Sequence, residues 1–152
     1  MMLQAFLDER DAVYRVLRHS TVFTAQELAA AEHTSGRYVI KPVVVKADGQ
    51  FFMCALPACY RIDLTELKSQ LLVEELFIVD EMTLAKLFGD CQIGAVPPIG
   101  RMFGMITLMD ESLINGTRVT FQAGTHEDAV EMSMAEYRRV AQPEMAHFGR
   151  PA

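Results

Sequence analysis

The segment YVIKPVVVKADGQFFMCAL, residues 38–56, is the most informative part of this chain about its fold. Two runs rich in β-branched and aromatic residues flank Asp48-Gly49, a residue pair that type I′ hairpin turns favour. The stretch therefore predicts a buried hairpin with strands from Tyr38 to Lys46 and from Gln50 to Leu56. Lys41 interrupts the first run. Because burying an unpaired ammonium is costly, the Lys41 head group must reach either water or an anion.

A second informative segment is Gly94-Ala95-Val96-Pro97-Pro98-Ile99-Gly100. Its prolines fix the backbone, and its glycines let a ligand approach the main chain closely. Together with Lys41, this loop predicts a pocket that binds an anionic ligand through one cation and through a backbone segment of fixed conformation.

The rest of the sequence alternates between helical and strand patterns. Apolar spacing predicts a helix from about Leu3 to Arg18, and capping residues at Thr24, Asp63 and Ser133 begin three further helices. Other predicted elements are strands over 75–79, 105–109, 118–122 and 129–132, and a helix over 81–88. Because hairpin turns link some strands and helices link others, the fold class is α/β (α+β) with a mixed sheet.

Composition predicts one soluble globular domain over residues 1–152, with 51% hydrophobic and 22% charged residues. The N-terminus lacks the basic region of a signal peptide, and the absence of a CxxC pair fits a reducing cytoplasm. The net charge of −6 argues against a protein that grips long nucleic acid such as DNA. It is compatible with contact to the end of an RNA strand. Arg37, Lys41 and Lys46 form a basic cluster in the sequence, which suits such a contact.

Several catalytic classes have little support in the sequence. There is no Gly-x-Ser-x-Gly motif, no Cys/His pair at zinc-ligand spacing and no dinucleotide fingerprint. Cys54 is interpreted as a small buried hydrophobe, although a hydrolase that uses Cys54 or Cys91 stays open. Taken alone, His126 is interpreted as a turn residue and Asp110 as a helix or turn cap. No metal and no cofactor is expected.

Taken together, these residues closely resemble the YbaK/prolyl-tRNA-synthetase-associated editing domain family, over about 24–143. The resemblance lies in an ordered series of motifs: Gly36-Arg37, Lys41, Val43-Val44-Val45, Leu56-Pro57-Ala58, Ile62-Asp63-Leu64, Phe88-Gly89-Asp90, Gly94 to Gly100, Asp110 to Leu113 and Ala123 to His126. It implies a curled, partly barrel-like mixed sheet with flanking helices. Some family members carry a polar residue after the lysine, where this chain has Pro42.

The resemblance also implies a function, which is hydrolysis of the ester in a mischarged tRNA by a free-standing enzyme. The implied substrate is tRNA for proline that carries a small wrong amino acid such as alanine or cysteine. Lys41 would bind the terminal adenosine, and the backbone from Gly94 to Pro98 would position the ester carbonyl and water. The implied substrate-binding residues are Ala95, Val96, Pro97, Ile99, Gly100, Gly124, Thr125 and His126. The implied partners are the tRNA acceptor end and an aminoacyl-tRNA synthetase, with no membrane and no DNA.

The chemistry does not require a strong side-chain base, because an aminoacyl ester is already activated and backbone donors can stabilise the oxyanion. We expect selection by size, with Ala55, Ala95, Val96 and Ile99 as candidate pocket walls. The alternative is a non-catalytic module that binds an aminoacyl-tRNA or a nucleotide in the same pocket, or regulates a partner.

Overall fold

The structure, a computed structural model, describes residues 2–19, 25–31 and 38–152. The described helices are α1 (Met2–Glu9), α2 (Ala25–Ala31), α3 (Leu64–Leu71), α4 (Glu81–Leu87) and α5 (Met134–Ala141). The described strands are β1 (Arg15–Arg18), β2 (Ile40–Ala47), β3 (Gln50–Pro57), β4 (Tyr60–Ile62), β5 (Leu76–Ile78), β6 (Ile106–Asp110), β7 (Arg118–Gln122), β8 (Asp128–Ser133), β9 (Glu144–Ala146) and β10 (Gly149–Pro151). Short 3-10 helices cover Gly100–Phe103 and Glu111–Leu113.

The predicted hairpin is confirmed and forms the centre of the fold. Strands β2 and β3 pair antiparallel from Ile40 opposite Pro57 to Ala47 opposite Gln50. Both turn residues take a positive φ, 45° at Asp48 and 85° at Gly49, as a type I′ turn requires. The hairpin lies inside a sheet with the order β5-β2-β3-β6-β9, in which β3, β6 and β9 run parallel to one another.

The mixed character of the sheet is likewise confirmed. The orders β1-β8-β7 and β10-β4 describe two smaller antiparallel sheets, and a parallel bridge between Val39 and Thr120 connects β7 to the start of β2. Within the described ranges the strands form open sheets, so the partly barrel-like detail is not confirmed.

The predicted helix from Leu3 to Arg18 is wrong in its second half. Helix α1 ends at Glu9, and Asp11 takes a φ of 52°, which a continuing α-helix does not allow. Residues 15–18 instead form β1, which pairs with β8 through Val16 opposite Val130. Pairing with the edge of β8 therefore determines the structure of residues 15–18, and the helical spacing of their apolar residues does not.

Capping predictions are confirmed where the structure describes the residues. The Asp63 carboxylate accepts a hydrogen bond from the Glu66 N–H at 3.0 Å, and the Ser133 hydroxyl accepts one from the Glu136 N–H at 3.1 Å. The predicted cap at Thr24 lies outside the described residues, as do Gly36 and Arg37 of the motif series.

The main core lies between the sheets and helices α1 and α5. Leu3 and Leu7 of α1 pack with Tyr137 and Val140 of α5 and with Phe121 of β7, and all five side chains are buried. No helix in the described part of the chain is long and apolar enough to cross a membrane.

Asp110 holds the C-terminal strands against this body. Its side chain is 1% exposed and accepts hydrogen bonds from the backbone N–H groups of Ser112, Phe148 and Gly149, at 3.1, 2.8 and 2.7 Å. The predicted cap is confirmed in the Ser112 contact. The contacts with Phe148 and Gly149 could not be predicted from the sequence around Asp110.

Candidate functional site

A cavity of about 290 Å³ lies where strand β2 changes partners. The outer edge of β2 meets β7 at Val39 and pairs with β5 only from Val45 to Ala47. Between these points, no described strand pairs with that edge. Residues 40–44 line the cavity there.

Pro42 fits this unpaired edge for a physical reason. The Val44 carbonyl points outward, because it accepts a hydrogen bond from the Val79 N–H at 2.9 Å. Pro42 lies two residues earlier and therefore has the same orientation. Its missing N–H faces the cavity, so the β2–β3 ladder loses no hydrogen bond.

Lys41 brings the charge to this cavity. Among the described residues that line the cavity, it is the charged one, and it forms none of the ion pairs found between described residues. Burial lowers the pKa of its ammonium, and the nearby Cys59 acts in the opposite direction. A half-buried cation that forms no ion pair with a described carboxylate is suited to bind an anion or hydroxyl groups of a ligand.

The turn that contains Gly94 presents backbone to the same cavity. The Ala95 N–H donates to the Gln92 carbonyl at 3.0 Å, which closes a four-residue turn over 92–95. Gly94 takes a φ of 84°, the value that the third position of a type II turn requires. Gly94 and Val96 both line the cavity, and their backbone N–H groups make no hydrogen bond to another described residue.

Gln92 and Gly124 fix this turn against the end of β7. The Gln92 N–H donates to the Gly124 carbonyl, and the Gly124 N–H donates to the Ala95 carbonyl, both at 2.8 Å. The Gln92 side-chain oxygen accepts a further hydrogen bond from the His126 N–H at 2.8 Å. This role of Gln92 could not be predicted from the sequence, because it depends on a contact across 34 residues.

The remaining residues of the glycine/proline loop support the site from behind. Ala95, Pro97, Pro98 and Ile99 are buried and lie outside the cavity lining. The Pro98 carbonyl accepts a hydrogen bond from the buried Tyr137 hydroxyl at 2.6 Å. These residues hold Gly94 and Val96 in place, so their predicted direct contact with a ligand stays a prediction.

Gly100 is also structural. Its N–H donates to the Thr107 hydroxyl at 2.7 Å, and a Cβ at this position would lie 2.5 Å from the Met105 carbonyl oxygen. Only glycine fits such a close approach of two backbones.

The Gly124-Thr125-His126 segment lies beside the site, outside the residues that line the cavity. The Thr125 hydroxyl donates to the Asp128 carboxylate at 2.6 Å and accepts from the Asp128 N–H at 3.1 Å, which closes a local turn. Among these three residues, Gly124 is the one that exchanges backbone hydrogen bonds with the Gly94 turn, while the His126 N–H reaches the turn through the Gln92 side chain.

Most of the cavity wall is apolar and was not predicted from sequence. The apolar residues beyond β2 and the loop are Ala25, Ile78, Val79, Leu84 and Phe88. Four residues were predicted from the sequence to form the pocket wall. Of these, only Val96 lines the cavity, whereas Ala55, Ala95 and Ile99 are buried outside it. Gln122 adds a polar side chain, which sequence reasoning also missed. These residues come from α2, from β7, and from β5 and α4 with the position directly after each, and only the fold brings them together.

Cys54 is excluded as a nucleophile. It is fully buried in the core, and burial raises the pKa of its thiol to about 12, so almost no thiolate forms near neutral pH. Burial also raises the pKa of the half-buried Cys91 thiol, with a smaller contribution in the same direction from Asp90.

We expect Gly94→Ala to lower the activity of this site by between about 10- and 100-fold, because a displaced turn misplaces the reacting groups. Gly49→Ala is the matched control, since Gly49 has a φ of 85° and lies in the hairpin turn away from the cavity. Both variants should lose about 1–2 kcal/mol of stability in chemical denaturation. Equal activity of the two variants would show that the Gly94 turn has no part in function.

Comparison with known proteins gives a consistent assignment. The model of the aminoacyl-tRNA editing domain family matches residues 19–140. The chain is 28% identical over 155 positions to the Multifunctional Ser/Thr-tRNA deacylase ProXp-y of Escherichia coli strain K12, covering 99% of this chain and 92% of that protein.

Solved structures share the fold. A candidate trans-editing enzyme for prolyl tRNA synthetase superimposes with a TM-score of 0.83 at 22% identity, covering 98% of this chain and 95% of that one. A hypothetical protein superimposes with a TM-score of 0.89 at 18% identity, covering 99% of this chain and 100% of that one. These likenesses confirm the mixed α/β fold class.

Proposed function

Because this chain belongs to the aminoacyl-tRNA editing domain family, we propose that it is a deacylase that hydrolyses the ester of mischarged tRNA. The observation that carries the proposal is one cavity that combines the Lys41 ammonium with the backbone of Gly94 and Val96. A relative over nearly the whole chain is named as a Ser/Thr-tRNA deacylase, which supports the same reaction.

The two parts of the cavity have different tasks in this proposal. The Lys41 ammonium binds the phosphate or the ribose hydroxyls of the terminal adenosine. The N–H groups of Gly94 and Val96 donate to the ester carbonyl oxygen as it gains negative charge in the tetrahedral transition state. Such preorganised donors contribute about 3 kcal/mol each to catalysis. Water attacks the ester carbon, and the ribose oxygen leaves with a proton.

No histidine or carboxylate is among the described residues that line the cavity. A vicinal ribose hydroxyl of the substrate is therefore the proposed route for proton transfer. The non-catalytic alternative draws on the same observation, since a cavity without a base also suits a binding module. The two functions differ in turnover, because a binding module protects the ester from hydrolysis.

The apolar wall and the volume of the cavity fit a small amino acid. We propose seryl and threonyl esters as the preferred substrates, because the relative is named for these two. Alanyl or cysteinyl esters on tRNA for proline are the narrower expectation from sequence resemblance. The proposed partners are the tRNA acceptor end and an aminoacyl-tRNA synthetase, and the proposed location is the cytoplasm.

The direct test is deacylation of a panel of tRNAs charged with serine, threonine, alanine, cysteine or proline. We expect hydrolysis of seryl- and threonyl-tRNA well above the spontaneous rate, with prolyl-tRNA left intact as the control that lacks a side-chain hydroxyl. Hydrolysis of alanyl- or cysteinyl-tRNA for proline alone would transfer the assignment to the narrower substrate. Protection of every ester would contradict the enzyme and favour the binding module.

A further inference from the structure

Gln122 is the polar side chain that strand β7 directs toward the cavity. Val119 and Phe121 of the same strand pack into the main core. Because side chains alternate along a strand, Thr120 and Gln122 point to the opposite face. Gln122 is 5% exposed and lines the cavity, whereas Thr120 is buried outside it.

The backbone holds Gln122 at a fixed position relative to Gly94 and Val96, whose N–H groups are proposed to bind the ester. Gly124, two residues after Gln122, exchanges hydrogen bonds of 2.8 Å with Gln92 and Ala95. Ala95 lies between Gly94 and Val96, which line the cavity. Gln122 therefore borders the same cavity as the N–H groups proposed to bind the ester carbonyl.

The chemistry of a carboxamide differs from that of the other groups in the cavity. Among the described lining residues, only Lys41 and Gln122 have a polar head group. An ammonium can only donate hydrogen bonds, whereas a carboxamide both donates and accepts. A hydroxyl that enters an apolar cavity needs a partner of this kind, because an unpaired buried hydroxyl is costly.

We infer that Gln122 is the specificity-determining residue that binds the side-chain hydroxyl of a β-hydroxy amino acid, serine or threonine, in the ester substrate. The inference rests on the proposed function and adds the reason for the substrate choice. A site that hydrogen-bonds a substrate hydroxyl rejects the analogue without it, because its own polar group then stays without that partner. An alanyl ester differs from a seryl ester in this one oxygen atom.

The test uses the full chain and compares seryl and alanyl esters on the same tRNA. Gln122→Leu replaces the carboxamide with an apolar side chain of similar size. We expect the ratio of kcat/KM for the seryl ester to that for the alanyl ester to fall by at least about 10-fold, with alanyl hydrolysis nearly unchanged. Gln122→Met provides a second apolar replacement if the leucine variant does not fold.

Thr120→Val is the matched control, because Thr120 is the neighbouring buried polar residue on the same face of β7 and lies outside the cavity lining. Its seryl-to-alanyl ratio should equal that of the wild type. An unchanged ratio in both Gln122 variants would overturn the inference. An equal loss for both esters would also overturn it and would indicate a contact between Gln122 and the nucleotide.

Binding separates this inference from the proposed function. The dissociation constants of amide analogues of seryl- and alanyl-adenosine, which are not hydrolysed, give the same ratio without turnover. Wild-type preference for the seryl analogue that disappears in Gln122→Leu supports the inference even if no ester is hydrolysed. Equal binding of both analogues to the wild type overturns the inference whether or not turnover is observed.

Discussion

Replacing Lys41 with alanine is expected to lower kcat/KM for ester hydrolysis by about 100-fold, while the protein stays folded. A hydrogen bond to a charged group contributes about 1.5–3 kcal/mol, and each 1.4 kcal/mol corresponds to about a tenfold change. Burial lowers the pKa of Lys41, so the folded protein disfavours the charged form relative to the unfolded chain. Removing the ammonium should therefore leave the melting temperature unchanged or slightly higher.

Lys46→Ala is the matched control for this experiment. Lys46 lies on the same strand but outside the cavity lining, with its Nζ 5.1 Å from the centre of the Phe51 ring. The control should retain wild-type hydrolysis. Wild-type rates for Lys41→Ala, measured in single turnover with seryl-tRNA, would remove Lys41 from the proposed mechanism.

Replacing Asp110 with alanine is expected to destabilise the protein by about 3 kcal/mol or more. The variant leaves the buried N–H groups of Phe148 and Gly149, and the N–H of Ser112, without their acceptor. Asp80→Ala is the comparison, because Asp80 caps α4 from an exposed position through one N–H, that of Thr83. Loss of an exposed cap costs about 1 kcal/mol. Chemical denaturation of the two variants measures the difference.

The Asp110 contribution should also depend on pH. Burial acts to raise the pKa of this carboxyl, but the hydrogen bonds from Ser112, Phe148 and Gly149 outweigh it and lower the pKa. A carboxyl with a lowered pKa stabilises the folded state above about pH 4 and loses this effect as the pH falls through the lowered pKa. The stability difference between wild type and Asp110→Ala should therefore shrink in acid. A constant difference down to pH 2 would contradict the role of the charged carboxylate.

Asp110 illustrates what local sequence can and cannot predict. Its type and its position at the end of a strand were enough to predict a helix or turn cap, which the contact with the Ser112 N–H confirms. The contacts to Phe148 and Gly149 depend on where the C-terminal segment folds, 38 and 39 residues away. For the same reason the short strands β1, β4, β9 and β10 were missed, since their pairing partners are distant in sequence and their own patterns are weak.

The residues of the candidate site likewise include some that could be predicted from the sequence and some that could not. Lys41 and Gly94 were predictable, because a lysine in an apolar strand and a glycine before prolines violate local expectations and require an explanation. Gln122 was not, since a glutamine at the end of a strand normally faces water. From the sequence alone, one expects ordinary core positions in separate helices and strands for Ile78, Leu84 and Phe88. Their position around one cavity follows from the β2 edge, which β5 and β7 leave open.

In the proposed mechanism the aminoacyl ester binds between Lys41 and the Gly94 turn. The most direct measurement is an NMR titration of the ¹⁵N-labelled protein with the amide analogue of seryl-adenosine. We expect the largest amide shifts at Gly94 and Val96. Shifts confined to the separate groove lined by Tyr60, His147 and Arg150 would contradict it.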